Sequence, residues 1–428
     1  MQETGRSLVA EDFMGNLPST PLKVAQVVRR FAFAEWGGTE NVVWSTAGAL
    51  RRQGVESEIV ATAACAAPGQ EVREGVSIRR FRYVYPYFPL SAAKTLALDK
   101  KGGNPLSPAL YRHLCRGNFG LYHIHTLGRM AQMARRAALG NGRPYVMSFH
   151  GGLLAVPGEE QQKMALPLSG TLRWGGLVDR VLGWRCDPVL DAAGVICVGA
   201  NELAAVQERY PGKRVIYLPN GVDVEAMRRP SKLVLRSHLG IPPERRILLC
   251  VSRIDYQKNQ KLLVELAARC RAAGEAVHLL LIGPVSVPSY YDELKKQAAG
   301  LGVAEWLTVV PGAEPGGELI RAAYQQSDVF LLPSLHEPFG IVVLEAWCCG
   351  LPVIASRVGG LQHLVRDGGN GLLCDPRQPG EWVRALAALT QPSLREVLAQ
   401  GGGQSVGDYS WELVSSRLLD FYHEVLSS

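Results

Sequence analysis

The sequence predicts an α/β protein built from two doubly wound domains, each with a parallel sheet covered by helices on both faces. With 428 residues, the chain is longer than a single hydrophobic core usually supports. In both halves, short apolar runs that end near Gly or Pro alternate with segments of helical spacing, and this alternation is typical of parallel sheets. The turn-like sequence at 219–223 separates the halves, so we place a first domain at 21–222 and a second at 223–408.

The first domain contains a series of short apolar runs that we interpret as buried strands. These predicted strands lie at 23–28, 58–61, 78–84, 121–125, 145–149, 194–198 and 215–218. Residues 40–52 are predicted to form a helix, because apolar residues recur there at helical spacing. Residues 85–110 are rich in Pro, Ser and Gly and are interpreted as a long surface excursion that would hold ligand-recognition loops. The segment 153–187 mixes amphipathic stretches with Gly and Pro breaks and predicts no clear element.

The second domain repeats the pattern. Its predicted strands lie at 247–252, 277–282, 306–310, 329–332, 353–355 and 372–374. Predicted helices, for example 260–273 and 290–301, separate them. A last helix at 409–428 carries an apolar stripe at spacings of 3, 4, 3 and 4, formed by Trp411, Val414, Leu418, Phe421 and Val425. A stripe of this kind must pack against another part of the protein.

Composition favours an ordinary soluble protein of the cytoplasm. Residues 1–20 are polar and lack the apolar region of a signal peptide, so they are predicted to be a disordered tail. No apolar run approaches the length of a membrane span. The nine cysteines show no metal-like spacing, which is typical of reduced, buried thiols and predicts no metal site.

Positive charge is concentrated in the first third of the chain. Residues 21–145 contain eighteen Lys or Arg and seven Asp or Glu, a surplus of eleven, whereas the whole chain carries +7. Solvated helix faces explain such a surplus, and so does a surface that attracts anionic lipid head groups or an anionic substrate. If the basic surface attracts anionic lipid, the protein is expected in the cytoplasm with peripheral contact to the inner membrane face. Nucleic acid is not expected, because no recognised binding module is present.

The stretch 328–350 carries the strongest functional signal. A short apolar run at 329–332, closed by a proline, predicts a buried strand, followed by a loop and a helix at 341–349. Glu337 lies in the loop and Glu345 lies eight residues later, among apolar neighbours. Ligands of open α/β sheets bind outside the carboxyl ends of the strands, and a buried carboxylate needs partners. Glu345 is therefore either a ligand-binding group or a structural carboxylate that bonds to the backbone.

The two glutamates resemble the E-x7-E motif of retaining glycosyltransferases with the GT-B fold, most closely those of family 4, also called glycosyl transferases group 1. The segment 355–373, which begins Ala-Ser-Arg-Val-Gly-Gly, continues the similarity. The resemblance extends from about residue 24 to residue 373 and rests on several separate motifs.

The resemblance implies the GT-B fold, in which two Rossmann-like doubly wound domains face each other across a cleft. The first domain would bind the acceptor, the second would bind the nucleotide sugar, and the last helix would cross back onto the first domain. The implied reaction moves a hexose-type sugar, with retention of configuration, from a nucleotide-diphosphate sugar to a saccharide or lipid-linked saccharide in cell-envelope or polysaccharide synthesis. UDP-sugars are the favoured donors and GDP-mannose is second. No cofactor or metal is expected, since the D-x-D metal motif of the other glycosyltransferase fold is absent.

Arg253 and Lys258 follow the predicted strand 247–252 and so should emerge at its carboxyl end. Both cations suit phosphate oxygens and could stabilise a departing diphosphate. Without Glu337 and Glu345 they would be interpreted as solvent-facing cations of a loop. By resemblance they bind the donor diphosphate.

The resemblance implies roles for other residues at the same cleft. Glu345 corresponds to the ribose-binding carboxylate, and Glu337 to a carboxylate near the donor sugar, helped by loop amides. His150 corresponds to a donor-sugar histidine, although a single histidine at a strand end is often structural. The expected catalytic residues are Glu337, His150, Arg253 and Lys258, and the expected donor-binding residues are these cations with Gly37, Gly38, Gly283, Glu337, Phe339, Gly340, Ile341 and Glu345.

Acceptor contacts are predicted for Glu40, beside the Gly37-Gly38 turn, and for His125, which could equally form hydrogen bonds within the core.

Other functions of two-domain α/β proteins predict features that differ from those of a transferase. A dinucleotide-dependent oxidoreductase should carry G-x-G-x-x-G after a strand, and the sequence has none. A sugar phosphorylase would normally be longer and carry a pyridoxal lysine. The alternative function is a non-catalytic nucleotide-sugar or lipid-binding protein of the same fold.

Overall fold

The computed structural model describes residues 21–100, 102–151, 168–314 and 316–428. Two large parallel sheets, one in each half of the chain, confirm the predicted α/β class and its doubly wound plan. The tail predicted at 1–20 lies outside the described residues, as does 152–167 in the segment that the sequence left unassigned.

The first sheet has eight strands in the order β10-β9-β7-β6-β1-β2-β4-β3, all parallel except β3, which is antiparallel to β4. Its strands are β1 (Lys23–Arg30), β2 (Glu56–Thr62), β3 (Gly69–Arg73), β4 (Val76–Phe81), β6 (Leu121–Ile124), β7 (Tyr145–Phe149), β9 (Gly194–Cys197) and β10 (Val215–Tyr217). A separate antiparallel pair is formed by β5 (Tyr87–Phe88) and β8 (Leu172–Arg173).

The helices of the first half connect these strands and cover both faces of the sheet. They are α1 (Gly38–Arg52), α2 (Ala92–Lys100), α3 (Pro108–Arg116), α4 (Gly128–Gly140), α5 (Gly175–Val181) and α6 (Ala200–Arg209). The surface excursion predicted at 85–110 is partly helical rather than all loop, because it contains α2 and the start of α3. Ser107 caps α3 through its hydroxyl, which accepts from the Leu110 amide, and Pro108 occupies the first turn.

The second sheet has six parallel strands in the order β13-β12-β11-β14-β15-β16. They are β11 (Arg246–Val251), β12 (Val277–Ile282), β13 (Leu307–Val310), β14 (Val329–Leu332), β15 (Val353–Ser356) and β16 (Leu372–Cys374). The helices of this half are α7 (Val224–Arg228), α8 (Leu235–Leu239), α9 (Gln260–Ala272), α10 (Pro288–Gly300), α11 (Glu318–Gln326), α12 (Ile341–Cys348), α13 (Leu361–Leu364), α14 (Pro379–Ala388) and α15 (Pro392–Ser405).

The last helix, α16 (Trp411–Leu426), lies on the first half of the chain. Its apolar stripe is buried in one cluster with Val24 of β1, Leu50 of α1 and Val146 of β7. The chain passes between the halves twice, and the two passages lie side by side, because the Val222 amide donates to the Tyr409 carbonyl at 2.8 Å. The apolar stripe seen in the sequence is thus buried against the first sheet.

Strand order fixes where a ligand can approach the second sheet. β11 lies between β12 and β14. The chain passes from β11 to β12 on one side and from β14 to β15 on the other, so these two connections run in opposite directions. The crevice outside the carboxyl ends of two such neighbours is the usual ligand site of an open α/β sheet. The loops after β11 and β14 contain Arg253, Lys258 and Glu337.

Candidate functional site

Lys258 and Glu337 meet at the carboxyl edge of the second sheet. Lys258 Nζ lies 2.6 Å from Glu337 Oε2, and both side chains are largely buried. The Ser334 hydroxyl donates to the same carboxylate oxygen at 3.4 Å. The pair places a cation and an acceptor of hydrogen bonds next to each other at the strand ends.

Hydrogen bonds between the two loops hold this pair in place. Asp255 caps the 3-10 turn that contains Lys258, because its carboxylate accepts from the Lys258 amide at 3.1 Å. Gln257 joins the loops: its side-chain amide donates to the His336 carbonyl at 3.0 Å, and its own carbonyl accepts from the Leu335 amide at 2.8 Å. The geometry of the β11 loop is therefore coupled to that of the β14 loop.

Arg253 lies in the same loop with a partly exposed guanidinium. Its Nη2 lies 3.3 Å from Asp255 Oδ2 and 3.4 Å from Gln257 Oε1. Its backbone carbonyl accepts from the Gln260 side chain at 2.7 Å. The backbone of Arg253 is thus held in place, while its guanidinium makes only long contacts. Several N–H donors of the guanidinium therefore remain available to an anion.

Glu345 lies on α12 with its carboxylate next to a buried tyrosine. The Tyr324 hydroxyl donates to Glu345 Oε2 at 2.7 Å. Burial raises the pKa of the Glu345 carboxyl to about 7, and the Tyr324 hydrogen bond opposes this shift. The sequence reasoning missed Tyr324, because a tyrosine on a distant helix gives no sequence signal of its partner.

The Glu345 pKa predicts a measurable pH dependence of stability. An ordinary carboxyl titrates near 4.5, so the raised value means that this group stabilises the fold at low pH, and the contribution is lost as pH rises from about 4.5 through about 7. We expect Glu345→Gln to remove this loss, which is about 3 kcal/mol.

Melting curves of the wild type and Glu345→Gln between pH 5 and 8 check this expectation. The variant should gain stability relative to the wild type as pH rises. Parallel curves over the whole range would contradict the raised pKa. Glu318→Gln, on an exposed part of α11, is the control and should not change the slope.

Two glycines at the strand ends allow close backbone approach. Gly283 follows β12, and a Cβ there would lie 2.0 Å from the Ser252 carbonyl oxygen at the end of β11. Gly340 precedes α12 with a left-handed φ of 104°, and a Cβ there would lie 2.6 Å from Leu361. The N-terminus of α12 therefore lies next to Glu337. Free backbone N–H groups at a helix N-terminus favour the binding of an anion.

The predicted donor loop has one residue whose side chain points elsewhere. Phe339 is buried and packs edge-on against Tyr409, with ring centroids 6.0 Å apart. Only its backbone is available to a ligand. Ile341, half-buried, begins α12.

The first half contributes a row of stacked histidines. His150 Nε2 lies 3.1 Å from His125 Nδ1, and the two rings stack with centroids 5.3 Å apart. His125 Nε2 lies 2.7 Å from the Gln26 side-chain oxygen. Since Gln26 Oε1 can only accept, His125 donates to it and accepts from His150. Nδ1 of His150 is then an acceptor, and it is buried without a hydrogen-bond partner among the described residues.

The row continues into the last helix. His123 Nδ1 lies 2.6 Å from the Tyr422 hydroxyl of α16, and His123 Nε2 lies 2.6 Å from Ser148 Oγ. Burial lowers the pKa of His150 to about 4 and that of His123 to about 3, and it also holds the pKa of His125 well below its ordinary value. All three imidazoles are therefore neutral near pH 7 and act as hydrogen-bonding groups rather than as cations.

Glu202, which sequence reasoning missed, holds the turn that follows His150. Its Oε1 accepts from the Gly151 amide at 3.0 Å, and burial raises the pKa of its carboxyl to about 7. Gly151 has a left-handed φ of 79°, and a Cβ there would lie 2.1 Å from Pro338 on the opposite wall. The only sequence signal was a carboxylate in the first turn of a helix, which is common.

The structure places the two predicted acceptor residues in internal contacts. Glu40 is buried and pairs with Arg30, whose Nε lies 2.9 Å from Glu40 Oε1. It lies beneath the glycine turn, since a Cβ at Gly37 would come within 2.9 Å of Glu40 Oε2. Gly38 begins α1 and has open space around its Cα. His125 is also buried, so direct acceptor contact by either side chain stays a prediction.

The two halves of the chain contact each other at several points. His363 Nε2 of α13 lies 3.0 Å from the Asn201 side-chain oxygen of α6. Arg73 of β3 lies 3.8 Å from Glu314, across the boundary. Pro338, next to Glu337, faces Gly151, next to His150. The loop that contains Glu337 and the turn that follows His150 therefore face each other across the boundary between the halves.

Comparison with known proteins identifies the family. The model of "Glycosyl transferases group 1" matches residues 232–404, and that of "Glycosyltransferase Family 4" matches residues 36–226. A D-inositol 3-phosphate glycosyltransferase of Nocardia farcinica is 30% identical over 410 residues, which cover 91% of this chain and 85% of that protein. The chain belongs to glycosyltransferase family 4.

Other similarities are partial in sequence or restricted to the fold. A D-inositol 3-phosphate glycosyltransferase of Geodermatophilus obscurus is 34% identical over 251 residues, which cover 57% of this chain and 55% of that protein. The match thus spans little more than half the length of that relative. The structure of Anabaena HepE has a TM-score of 0.69 at 19% identity and covers 94% of this chain and 100% of that one. It shows that this family 4 chain has the GT-B fold.

Proposed function

We propose that the protein is a retaining glycosyltransferase that moves a hexose-type sugar from a nucleotide-diphosphate sugar to an acceptor hydroxyl. The observation that carries this proposal is the Lys258–Glu337 pair, 2.6 Å apart at the carboxyl ends of β11 and β14. It puts fixed positive charge beside a carboxylate suited to sugar hydroxyls. The proposal needs no metal, because Arg253 and Lys258 would supply the charge that stabilises the leaving diphosphate.

We favour a UDP-sugar as the donor, with GDP-mannose as the second candidate. HepE, which has the same fold, was crystallised with UDP and glucose. In this chain, Glu345 would accept from the ribose hydroxyls, and the close strand ends at Gly283 would admit the base against backbone groups. Glu337, the amides at the start of α12 and Nδ1 of His150 would hold the hydroxyls of the sugar.

The proposed reaction proceeds on one face of the sugar. The bond between C1 and the diphosphate oxygen breaks, and the acceptor oxygen forms its bond to C1 on the same face. The acceptor proton passes to the leaving phosphate oxygen. Arg253 and Lys258 stabilise the charge that develops on the diphosphate, and the neutral histidine row orients His150 without adding charge.

The acceptor that we propose is a saccharide, a lipid-linked saccharide or a phosphorylated polyol. The relatives from Nocardia and Geodermatophilus are named for D-inositol 3-phosphate, an anionic polyol. The surplus of eleven positive charges over residues 21–145 of this chain suits an anionic acceptor.

Thermal stability with UDP, GDP, ADP and NAD, each with EDTA present, tests the donor site. A ligand at about a hundred times its dissociation constant should add about 2.7 kcal/mol of stability. We expect UDP to raise the melting temperature of the wild type and to raise that of Arg253→Ala much less. Arg269→Ala, which breaks an exposed pair with Glu265 on α9, is the matched control and should keep the full shift.

Transfer from the UDP-hexose to a panel of acceptors then separates an enzyme from a binding protein. Turnover in EDTA with an α-configured product from an α-configured donor would support every part of the proposal. A nucleotide shift with no turnover on any acceptor would favour the non-catalytic alternative. A melting shift with NAD alone would overturn the donor-site assignment.

A further inference from the structure

Helix α5 turns its polar side toward the protein. Asp179 of α5 binds the buried Arg129 through two hydrogen bonds, with Nε to Oδ1 at 2.7 Å and Nη2 to Oδ2 at 2.9 Å. Gly175 at the start of the helix is buried, and a Cβ there would lie 2.1 Å from Arg129. The side of α5 that carries Asp179 therefore faces inward.

The opposite side of the same segment is apolar and exposed. Trp174, Leu177 and Val181 have exposed fractions of 42%, 65% and 75%. Their spacings of three and four residues place them in one stripe along the helix. Surface helices of globular proteins normally bury such a stripe, so the amphipathic pattern of α5 is reversed.

The small β5–β8 sheet extends this stripe. Phe88 and Leu172 are direct partners in the antiparallel pair, so their side chains share one face. Both are 70% exposed, and Leu172 precedes Trp174 by two residues. We call Phe88, Leu172, Trp174, Leu177 and Val181 the apolar patch. Exposed apolar residues scattered singly are ordinary, whereas a row of five in adjoining elements indicates an interaction site.

The exposed charged residues of the segment 168–186 are positive. Arg173, Arg180 and Arg185 are exposed in the same segment. Asp179 is the only acidic residue between 168 and 186, and Arg129 neutralises it. An apolar row containing a tryptophan and bordered by arginines is the composition of helices that lie in the interface of anionic membranes.

The location of the apolar patch also favours a lipid surface. Arg129 lies in the first turn of α4, just after the carboxyl end of β6, where His125 begins the row that leads to His150. The patch therefore lies near the edge of the first sheet that faces the cleft. A membrane at this position could present a lipid-linked or membrane-bound acceptor without passing it through solution.

We propose that the apolar patch docks the protein on an anionic lipid surface, with its side chains in the headgroup region and the three arginines against lipid phosphates. These three arginines lie outside residues 21–145, so this docking surface is separate from the basic surplus found there. The proposal does not depend on the donor or on the reaction.

Sedimentation of the full chain with vesicles tests this docking. We expect binding to vesicles of phosphatidylcholine mixed with phosphatidylglycerol, much weaker binding to phosphatidylcholine alone, and release by salt. Leu177→Ser combined with Val181→Ser should lower the partition coefficient at least about tenfold. Arg180→Gln should lower it about fivefold.

The matched control is Val234→Ser combined with Val397→Ser, two exposed apolar positions in the second half of the chain. It should bind vesicles as the wild type does. A melting curve of every variant without ligand verifies folding, and the UDP melting shift reports on the donor site separately, so that a failed donor site and a failed membrane site give different results.

Three outcomes would overturn the proposal. One is the absence of wild-type binding to the mixed vesicles. Another is unchanged binding of the Leu177→Ser, Val181→Ser variant, which would assign any attraction to other basic surfaces. The third is a dimer in lipid-free solution that the same variant dissociates, which would make a second copy of the chain the partner.

Discussion

Replacing Lys258 with alanine is expected to lower kcat for sugar transfer by about 10²–10³-fold, the usual loss when one preorganised charge or donor is removed from a transition state. Lys258 is largely buried and 2.6 Å from Glu337, so water cannot easily replace its charge on the leaving diphosphate. Steady-state kinetics with a UDP-hexose measures the effect. Since the charge matters most as the diphosphate leaves, kcat should fall more than KM rises.

Lys261→Ala is the control for this experiment. Lys261 lies three residues away and pairs with Glu293 in an exposed ion pair, which contributes little to stability and, in our proposal, nothing to transfer. Lys258→Ala also leaves Glu337 without its cation, which lowers stability. Lys258→Ala combined with Glu337→Gln should recover stability and not activity. Nearly unchanged kcat in a folded Lys258→Ala variant would refute the assignment of the diphosphate site.

Trp411→Ala is expected to lower the unfolding free energy by roughly 3–5 kcal/mol, the usual cost of truncating a buried tryptophan. Trp411 begins α16 and is buried against the first half of the chain, and a Cβ at Gly221 would lie 2.6 Å from its ring. The substitution therefore opens a cavity beside both passages between the halves. Chemical denaturation followed by circular dichroism measures the loss.

Two further variants separate packing from the histidine row. Trp174→Ala removes an exposed indole just before α5 and should change stability little. Tyr422→Phe keeps the packing of α16 and removes only the hydroxyl that contacts His123 Nδ1 at 2.6 Å. We expect a small loss of stability and a lower kcat, because His123 loses the hydroxyl that orients its ring beside His125. A Trp411→Ala variant as stable as Trp174→Ala would show that α16 does not anchor the first half.

Most of the strands could be predicted because their signal is local. The runs at 145–149, 277–282, 329–332 and 372–374 coincide with observed strands, since buried parallel strands are short apolar runs bounded by Gly or Pro. The edge strand β3 was missed because every one of its residues is exposed. The helices within 85–110 were missed because Pro, Ser and Gly in that stretch suggested loop, whereas α2 and α3 are stabilised by caps and by packing.

The side of the site where we propose that the donor binds was more predictable than the side proposed for the acceptor. Arg253, Lys258 and Glu337 follow two apolar strands, so their position at the carboxyl edge follows from sequence once the strands are known. Glu40 and His125 also follow strands, yet the structure pairs them with Arg30 and Gln26. Which of two neighbouring polar side chains faces a cleft depends on partners from distant segments, and a single sequence does not show these partners.

The sequence by itself determined the two α/β halves, the apolar stripe of the last helix and the residues at the strand ends, because hydrophobic periodicity and turn residues act over a few positions. Only the tertiary structure decided which strands are neighbours, and with them the contact of Lys258 with Glu337. It alone connected Tyr422 to His150 through the histidine row and placed Glu202 behind Gly151. The tertiary structure also turned the apolar side of α5 outward, because the buried Arg129 binds Asp179 on the inner side of the helix. Arg129 is distant in sequence, so the amphipathic pattern of α5 alone does not predict this orientation.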